Sequence, residues 1–519
     1  MYPGEHARTT PDRPAIIMAG SGETLSFAEL DRRANRLAHL FRDMGLRRKD
    51  HVAFLVENHI ELLVAMSAAE RTGLYYTPIN AFLSAAEAAY IVNDSGALLV
   101  LSSRAKREVA ADLPALCPAV RRWIMLDVDA PTDGFEPYAA AVAPFPDTPV
   151  PDERLGTPMF YSSGTTGVPK AIVRGLPDRD PGEMLDIEAF GRQVFHLREG
   201  GMVFLSPAPL YHSGPQSSVA IALRLGGTSV VMEKFDAETY LALVQQFGVT
   251  HSMVVPTMFS RLLKLPAVIR ERYDLSTLEA VVHGAAPCPM PVKQAMLEWW
   301  GPVIYEYYGA TEANGITGCG PEEWLAHPGT VGRPILGEAV ILDDDGRPCP
   351  PGVPGTIWFR GGNSNFEYLN DPEKTAAARH PSGTMTMVGD IGYLDEDGYL
   401  YLTDRHAFVI ISGGVNIYPQ EVENLLVSHP WVMDAAVIGV PDDDKGEAVK
   451  GVVQLVDGIE AGPATEKALI DHCRSALARF KCPRSIDFVD ELPRLPTGKL
   501  YKRKLRDTYW PAAEPVSAQ

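Results

Sequence analysis

The sequence holds few cysteines and none at paired spacing. Cys117, Cys288, Cys319, Cys349, Cys473 and Cys482 are scattered without a Cys-x-x-Cys repeat, which argues against a zinc site or a disulfide framework and fits a reducing cytoplasm. No apolar run reaches the ~18 residues of a membrane span. Met1-Tyr2-Pro3-Gly4-Glu5-His6 lacks the basic and then apolar order of a secretory leader, so neither export nor membrane insertion is expected. Positive charge is also short: 47 Lys and Arg face 66 Asp and Glu, a net charge of -19 that repels nucleic acid and anionic membrane surfaces. There is no internal repeat.

What is present is enough apolar material, 46% of 519 residues, for several packing units. Ser26-Phe27-Ala28-Glu29 reads as a capping box opening a helix with Phe27, Leu30, Ala34, Leu37, Phe41 and Met44 on one face, stopped at Gly45. Val52 to Val56, Ile60 to Arg71 and Tyr75 to Ile79 follow as strand, helix and strand. A helix around Glu87 to Val92 then precedes a strand from Ala97 to Leu101. This alternation implies a parallel sheet covered by helices. It resumes from Met202 to Val255 as a second α/β layer. From about Val331 to Leu402 the chain changes to short strands and turns, such as Asn370-Asp371-Pro372, predicting a small β-rich subdomain. Beyond Arg405, mixed strands and helices are long enough for a separate domain of about 110 residues.

Between the two α/β layers lies Tyr161-Ser162-Ser163-Gly164-Thr165-Thr166-Gly167-Val168-Pro169-Lys170. By composition such a run is a linker. It is bracketed, however, by the apolar Pro158-Met159-Phe160 and Ala171-Ile172-Val173, which makes it a turn between buried strands. Gly164 and Gly167 let backbone N–H groups approach an anion, Ser162, Ser163, Thr165 and Thr166 add donors, and Lys170 adds charge. It is not a Walker A loop, because Val168-Pro169 separates Gly167 from Lys170 and Ala171 follows.

Taken alone, other stretches are ordinary. Gly284-Ala285-Ala286-Pro287 after an apolar strand is a tight turn, and Asp390 and Asp404-Arg405 are turn residues. Gly413-Gly414 precedes a helix started by Pro419, and Lys499 is one lysine in a basic patch. Glu312, in Tyr308-Gly309-Ala310-Thr311-Glu312, becomes a reasonable Mg2+ ligand once a phosphate loop is present, since Mg2+ is held by one or two carboxylates plus nucleotide phosphates.

Together, and in this order, these motifs closely resemble those of the adenylate-forming superfamily: acyl-CoA synthetases, peptide-synthetase adenylation domains and luciferases. The resemblance runs from the Ser26 helix to Lys499. It implies an α/β fold with a large N-terminal domain of two α/β layered sheets plus a small β-rich subdomain, residues 1–404. A small mobile α+β C-terminal domain, residues 405–519, would follow a hinge near 405–407. It also implies roles. Ser162 to Lys170 would grip the leaving phosphates, Tyr308 would stack on adenine, and Gly284 to Pro287 would form the opposite wall with Gly309 beside it. Thr311 would meet the AMP phosphate, Glu312 would bind magnesium, and Asp390 would accept from the ribose hydroxyls with Arg405 as a further nucleotide contact. Gly413 and Gly414 would line a pantetheine tunnel, and Lys499 would be the adenylation lysine. His212 would occupy the aromatic gate between nucleotide and acid without acid–base work, since a carboxylate nucleophile needs no base.

The implied enzyme is an AMP-forming carboxylate–CoA ligase using ATP, Mg2+ and coenzyme A, with a hydrophobic fatty, aryl or polycyclic, steroid-like acid as substrate. Delivery to a carrier protein stays open as the alternative acceptor, and so does a homodimer. A peptide-synthetase-type module would place an Asp near Tyr211 to Gly214, and none is there. Three departures from the family pattern stand out. Ala171 replaces the glycine after the loop lysine. Arg174-Gly175-Leu176 and the acidic Asp178 to Glu183 segment stand where a Ser-His or Thr-His pair is usual. Ala407 replaces the usual Asp or Lys at the hinge.

Overall fold

The computed structural model describes residues 2–162, 169–183, 186–362, 365–405, 408–412, 415–442, 445–494 and 500–510, with the side chains of residues 186, 187, 404, 405, 416 and 503 outside the description. Among the described residues the strands form five sheets.

The first α/β layer is an all-parallel six-stranded sheet with His51–Leu55 and Leu99–Ser103 near its centre, every residue of both buried. Strands covered on both faces read as near-continuous apolar runs, as Val52 to Leu55 and Leu99 to Leu101 do. The second layer is a nine-stranded sheet. Its parallel centre includes Val203–Ser206, His251–Val254, Ala280–His283 and Ile304–Gly309, and antiparallel strands close its edges. Helix Phe27–Asp43 buries Phe27, Leu30, Ala34, Leu37 and Phe41 in a core shared by both layers. Ser26 caps it by accepting from the Glu29 amide at 3.3 Å, and Gly45 ends it at φ 78. The Glu29 carboxylate serves Arg33 at 2.8 Å. A reciprocal box forms instead at Ser84 and Glu87, opening helix Ala85–Ser95.

The segment expected to be β-rich divides among three sheets. Glu338–Leu342, Gly355–Arg360, Met385–Leu394 and Leu400–Arg405 make an antiparallel sheet of their own. Arg333–Leu336 instead extends the nine-stranded sheet through Ile316–Cys319, and the two-residue strand Glu367–Tyr368 leaves to pair with Lys170–Val173. The phosphate-loop stretch is thereby flanked by a hairpin, Phe160–Ser162 against Lys170–Val173, with a third strand recruited from two hundred residues downstream.

The smaller C-terminal unit packs helices Pro419–Ser428 and Pro463–Ala476 on a sheet built around the long hairpin Val432–Asp442 and Gly446–Leu455, over a core of Ile410, Val422, Leu426, Val437, Val453 and Leu469. Lys264 of the large domain donates to the Met433 carbonyl at 2.6 Å, tying the two together. No described helix is long and apolar enough to cross a membrane.

Candidate active site

A cavity of about 860 Å³ opens at the C-terminal ends of the nine-stranded sheet and continues into the cleft beneath the C-terminal unit. Loops at strand ends carry ligands in such sheets because backbone groups there are unpaired and the strands hold the loops rigidly. Ala285, Ala286 and Pro287 line one side, following strand Ala280–His283, and Tyr308 and Gly309 line another at the end of Ile304–Gly309. These strands are adjacent, with His283 opposite Glu306. Small residues are required here. A Cβ on Gly284 would stand 2.7 Å from Tyr307 Cε1 and 2.8 Å from the Tyr307 carbonyl oxygen. Ala285 adopts φ 67, a left-handed conformation that turns the chain sharply along the cavity wall.

Asp390 lies on the antiparallel sheet opposite Arg405, is 6% exposed, and lines the same cavity. The Tyr308 hydroxyl donates to Asp390 Oδ2 at 2.7 Å, joining two residues that sequence reasoning singled out separately. Tyr211 lines the cavity, and His212 packs its ring on Tyr211 with centroids 4.4 Å apart, just before helix Ser213–Arg224.

Thr311 and Glu312 stand beside the phosphate-loop hairpin. Thr311 Oγ1 is 3.3 Å from Ser213 Oγ, and its backbone carbonyl accepts from the Arg174 guanidinium. Glu312 is 7% exposed, and its Oε1 accepts from the Tyr368 hydroxyl at 2.7 Å. Among the described residues no three potential ligands cluster as a metal cage. A single buried carboxylate fits Mg2+ that arrives with nucleotide phosphates, where the phosphates and water supply most of the oxygens. Lys170, opposite Ser162 in the hairpin, pairs with Asp371, which also caps helix Pro372–Ala377. Lys170's hydrogen bond holds the Asp371 carboxyl below its ordinary range.

Ser163, Gly164, Thr165, Thr166, Gly167, Gly413, Gly414 and Lys499 lie outside the described residues, as do the Arg405 side chain and Ala407. Their flanks are described. Ser412 pairs with Val415, and Arg494 pairs with Leu500. Arg494, Leu500 and Lys502 line the cavity opposite Tyr308 and Asp390.

Sequence reasoning missed Arg174, Asp371, Tyr368 and a buried pair, Lys293 with Glu306. Asp371 carried a signal, since Asp before Pro is a helix N-cap signature, although it also reads as a turn. The lining also reaches beyond the stretches considered from sequence, to Lys234, Arg261 and Lys264. The acidic segment proves to be a strap. The Arg48 guanidinium donates to the Leu176 carbonyl at 2.9 Å, Arg154 pairs with Asp180, and the buried Arg224 donates to the Pro181 carbonyl at 2.7 Å and to Glu188 at 2.8 Å.

Similarity to known proteins extends along nearly the whole chain. The family described as AMP-binding enzyme matches residues 4–369, and the AMP-binding enzyme C-terminal domain matches residues 421–499. The chain belongs to the AMP-binding enzyme family. As a member it is an ATP-binding, adenylate-forming enzyme of the ligase class. It is 32% identical over 519 residues to a fatty acid–[acyl-carrier-protein] ligase of Streptomyces coeruleorubidus, covering 97% of this chain and 95% of that protein. It is 33% identical over 514 residues to a 2-succinylbenzoate–CoA ligase of Geobacillus kaustophilus, covering 97% and 96%. Among solved structures, ATP-bound MatB from Rhodopseudomonas palustris superposes with a TM-score of 0.81 at 29% identity, over 98% of this chain and 99% of that one.

Proposed function

We propose that the chain is an acyl-CoA synthetase: MgATP and a carboxylic acid give an acyl-adenylate and pyrophosphate, and the thiol of coenzyme A then displaces AMP to give a thioester. The observation that supports this reading is the single cavity shared by Ala285 to Pro287, Tyr308, Gly309 and Asp390 on one side and the neighbours of Lys499 on the other. A flat base fits between small residues and Tyr308, and a carboxylate such as Asp390 suits a pair of ribose hydroxyls.

In this reading Ser162 to Lys170 hold the departing phosphates, Glu312 holds Mg2+, and Thr311 and Lys499 stabilise the α-phosphate under attack. The metal supplies charge neutralisation on the phosphates. Catalysis then rests on positioning and fixed charge, with no covalent enzyme intermediate. The chain divides near 405–407. The C-terminal domain carries Lys499 for the first step, and in the second it turns to present Gly413 and Gly414 to the pantetheine arm, with His212 at the gate beside the acid. Tyr211, Val255 and Met258 along the cavity favour a hydrophobic fatty, aryl or polycyclic acid.

The similarity to a fatty acid–[acyl-carrier-protein] ligase favours one second reading, a carrier-protein thiol as acceptor. Release of AMP, followed over a panel of fatty, aryl and polycyclic acids with coenzyme A or with a phosphopantetheinylated carrier protein, tests both. Release that needs coenzyme A supports the first reading and release that needs the carrier supports the second. Pyrophosphate release with neither acceptor consuming the adenylate would overturn both.

A further inference from the structure

Resting on the adenylation reading above, we propose that Arg174 is a positioning residue that ties the exit of the phosphate-loop hairpin to the Thr311–Glu312 corner, so that hydroxyl and carboxylate meet MgATP in register. Arg174 directly follows strand Lys170–Val173, and its guanidinium donates to the Thr311 backbone carbonyl, 137 residues downstream. Its own backbone is held in turn, because its carbonyl accepts from the Tyr75 hydroxyl at 2.9 Å. Burial pushes the guanidinium down, opposed by the negative charge of Glu312, so cation and carboxylate are electrostatic neighbours.

The same small sheet supplies a second grip. Tyr368 pairs with Ile172 in the hairpin and donates its hydroxyl to Glu312. The corner they hold is bent: Ala313, the next residue, adopts φ 53, and its amide bonds back to the Ala310 carbonyl at 2.9 Å. A turn of this shape is over-determined by surrounding contacts or it relaxes. Arg174 suits the task because its planar guanidinium stays charged when buried and presents a fixed N–H to the Thr311 carbonyl.

The test is calorimetric binding of MgATP, and of ATP in EDTA, to the full chain and to R174A, R174K and Y368F. It needs no acid substrate. The wild type is expected to prefer MgATP to metal-free ATP. R174A should narrow that preference about tenfold, the weight of one charge-assisted hydrogen bond, because Glu312 no longer meets the metal in register. R174K should restore part of it, and Y368F should narrow it in the same direction. If R174A does not fold, R174K and Y368F carry the same comparison. Equal weakening of both ligands, or no change in either, would overturn the role of Arg174 and leave the site reading standing. A wild type that binds neither form of ATP would overturn the site reading itself.

Discussion

The hydroxyl of Tyr308 donates to the Asp390 carboxylate at 2.7 Å, linking the end of the nine-stranded sheet to the antiparallel sheet 82 residues further on. The bond orients a buried acceptor before any ligand arrives. Hydrogen bonds to charged groups are worth about 1.5–3 kcal/mol. Y308F should therefore raise the KM for ATP in acyl-adenylate formation by about tenfold or more, and the KM for supplied acyl-adenylate in thioester formation in the same direction, because both ligands carry the ribose. Initial rates of the two half-reactions, measured separately, check this. An unchanged KM would mean that Asp390 is oriented by other contacts.

Gly284 gives a steric prediction. An added methyl meets the Tyr307 ring, which packs edge-on against Phe195, and the Tyr307 carbonyl oxygen, which is fixed in the backbone. G284A should force the two strands apart at the cavity mouth, costing about 1–3 kcal/mol of stability as an overpacked site, and it should weaken ATP binding. Thermal unfolding and ATP titration of the variant measure both effects. A variant with native melting and native affinity would show that the strands yield freely there.

Much of this was legible before any coordinates, and the reason differs from element to element. Helix Phe27–Asp43 matches its sequence reading because its signals are local, Ser26 capping the first turn and Gly45 ending it at φ 78. The phosphate hairpin was legible because apolar residues bracket it. Tyr368 was not, since a two-residue strand has no periodicity and its partner, Ile172, lies about two hundred positions away. Lys293 was not legible either. A lysine in a helix reads as solvated surface, and only the tertiary fold gives it Glu306 as a partner.

His51 sets a pH dependence of stability. It is buried on a central strand, its Nε2 lies 2.8 Å from Thr77 Oγ1, and burial pushes its pKa from 6.5 to about 3. Between those values the unfolded chain takes up a proton that the folded chain refuses. Stability therefore falls as pH drops through this window, by up to ~1.4 kcal/mol per pH unit from this residue. H51N, which cannot titrate, should flatten the slope between pH 6 and pH 4 by about one proton and leave it unchanged above pH 7.5. Urea unfolding over that range is the measurement, and an unaltered slope would refute the assignment.

Lys293 and Glu306 are 0% and 6% exposed, and the ammonium donates to the carboxylate with His283 Nε2 3.5 Å away. Burial pushes Glu306 up, opposed by Lys293, and pushes His283 well down. Removing one partner strands a buried charge, so K293M or E306M alone should cost about 3–5 kcal/mol, whereas K293M/E306M, which removes both, should cost much less than the two single losses combined. Urea denaturation of the single and double variants completes the cycle. Additive losses would show that the pair is not coupled.

Arg494 and Leu500, which flank Lys499 in the sequence, pair with each other, and Arg494 is fixed by two hydrogen bonds to Asp434 of the C-terminal sheet. Arg494 thereby staples this flank to a domain that contacts the large domain through Lys264 and Met433. K499A should remove most of adenylation while sparing thioester formation from supplied acyl-adenylate, because only the first step develops charge on the attacked phosphate. D434N, which weakens the staple without touching the lysine, should lower adenylation in the same direction by about tenfold and likewise spare the second step. Equal loss of both half-reactions in K499A would remove Lys499 from the first step. Full adenylation by D434N would show that the Asp434–Arg494 staple is not what positions it.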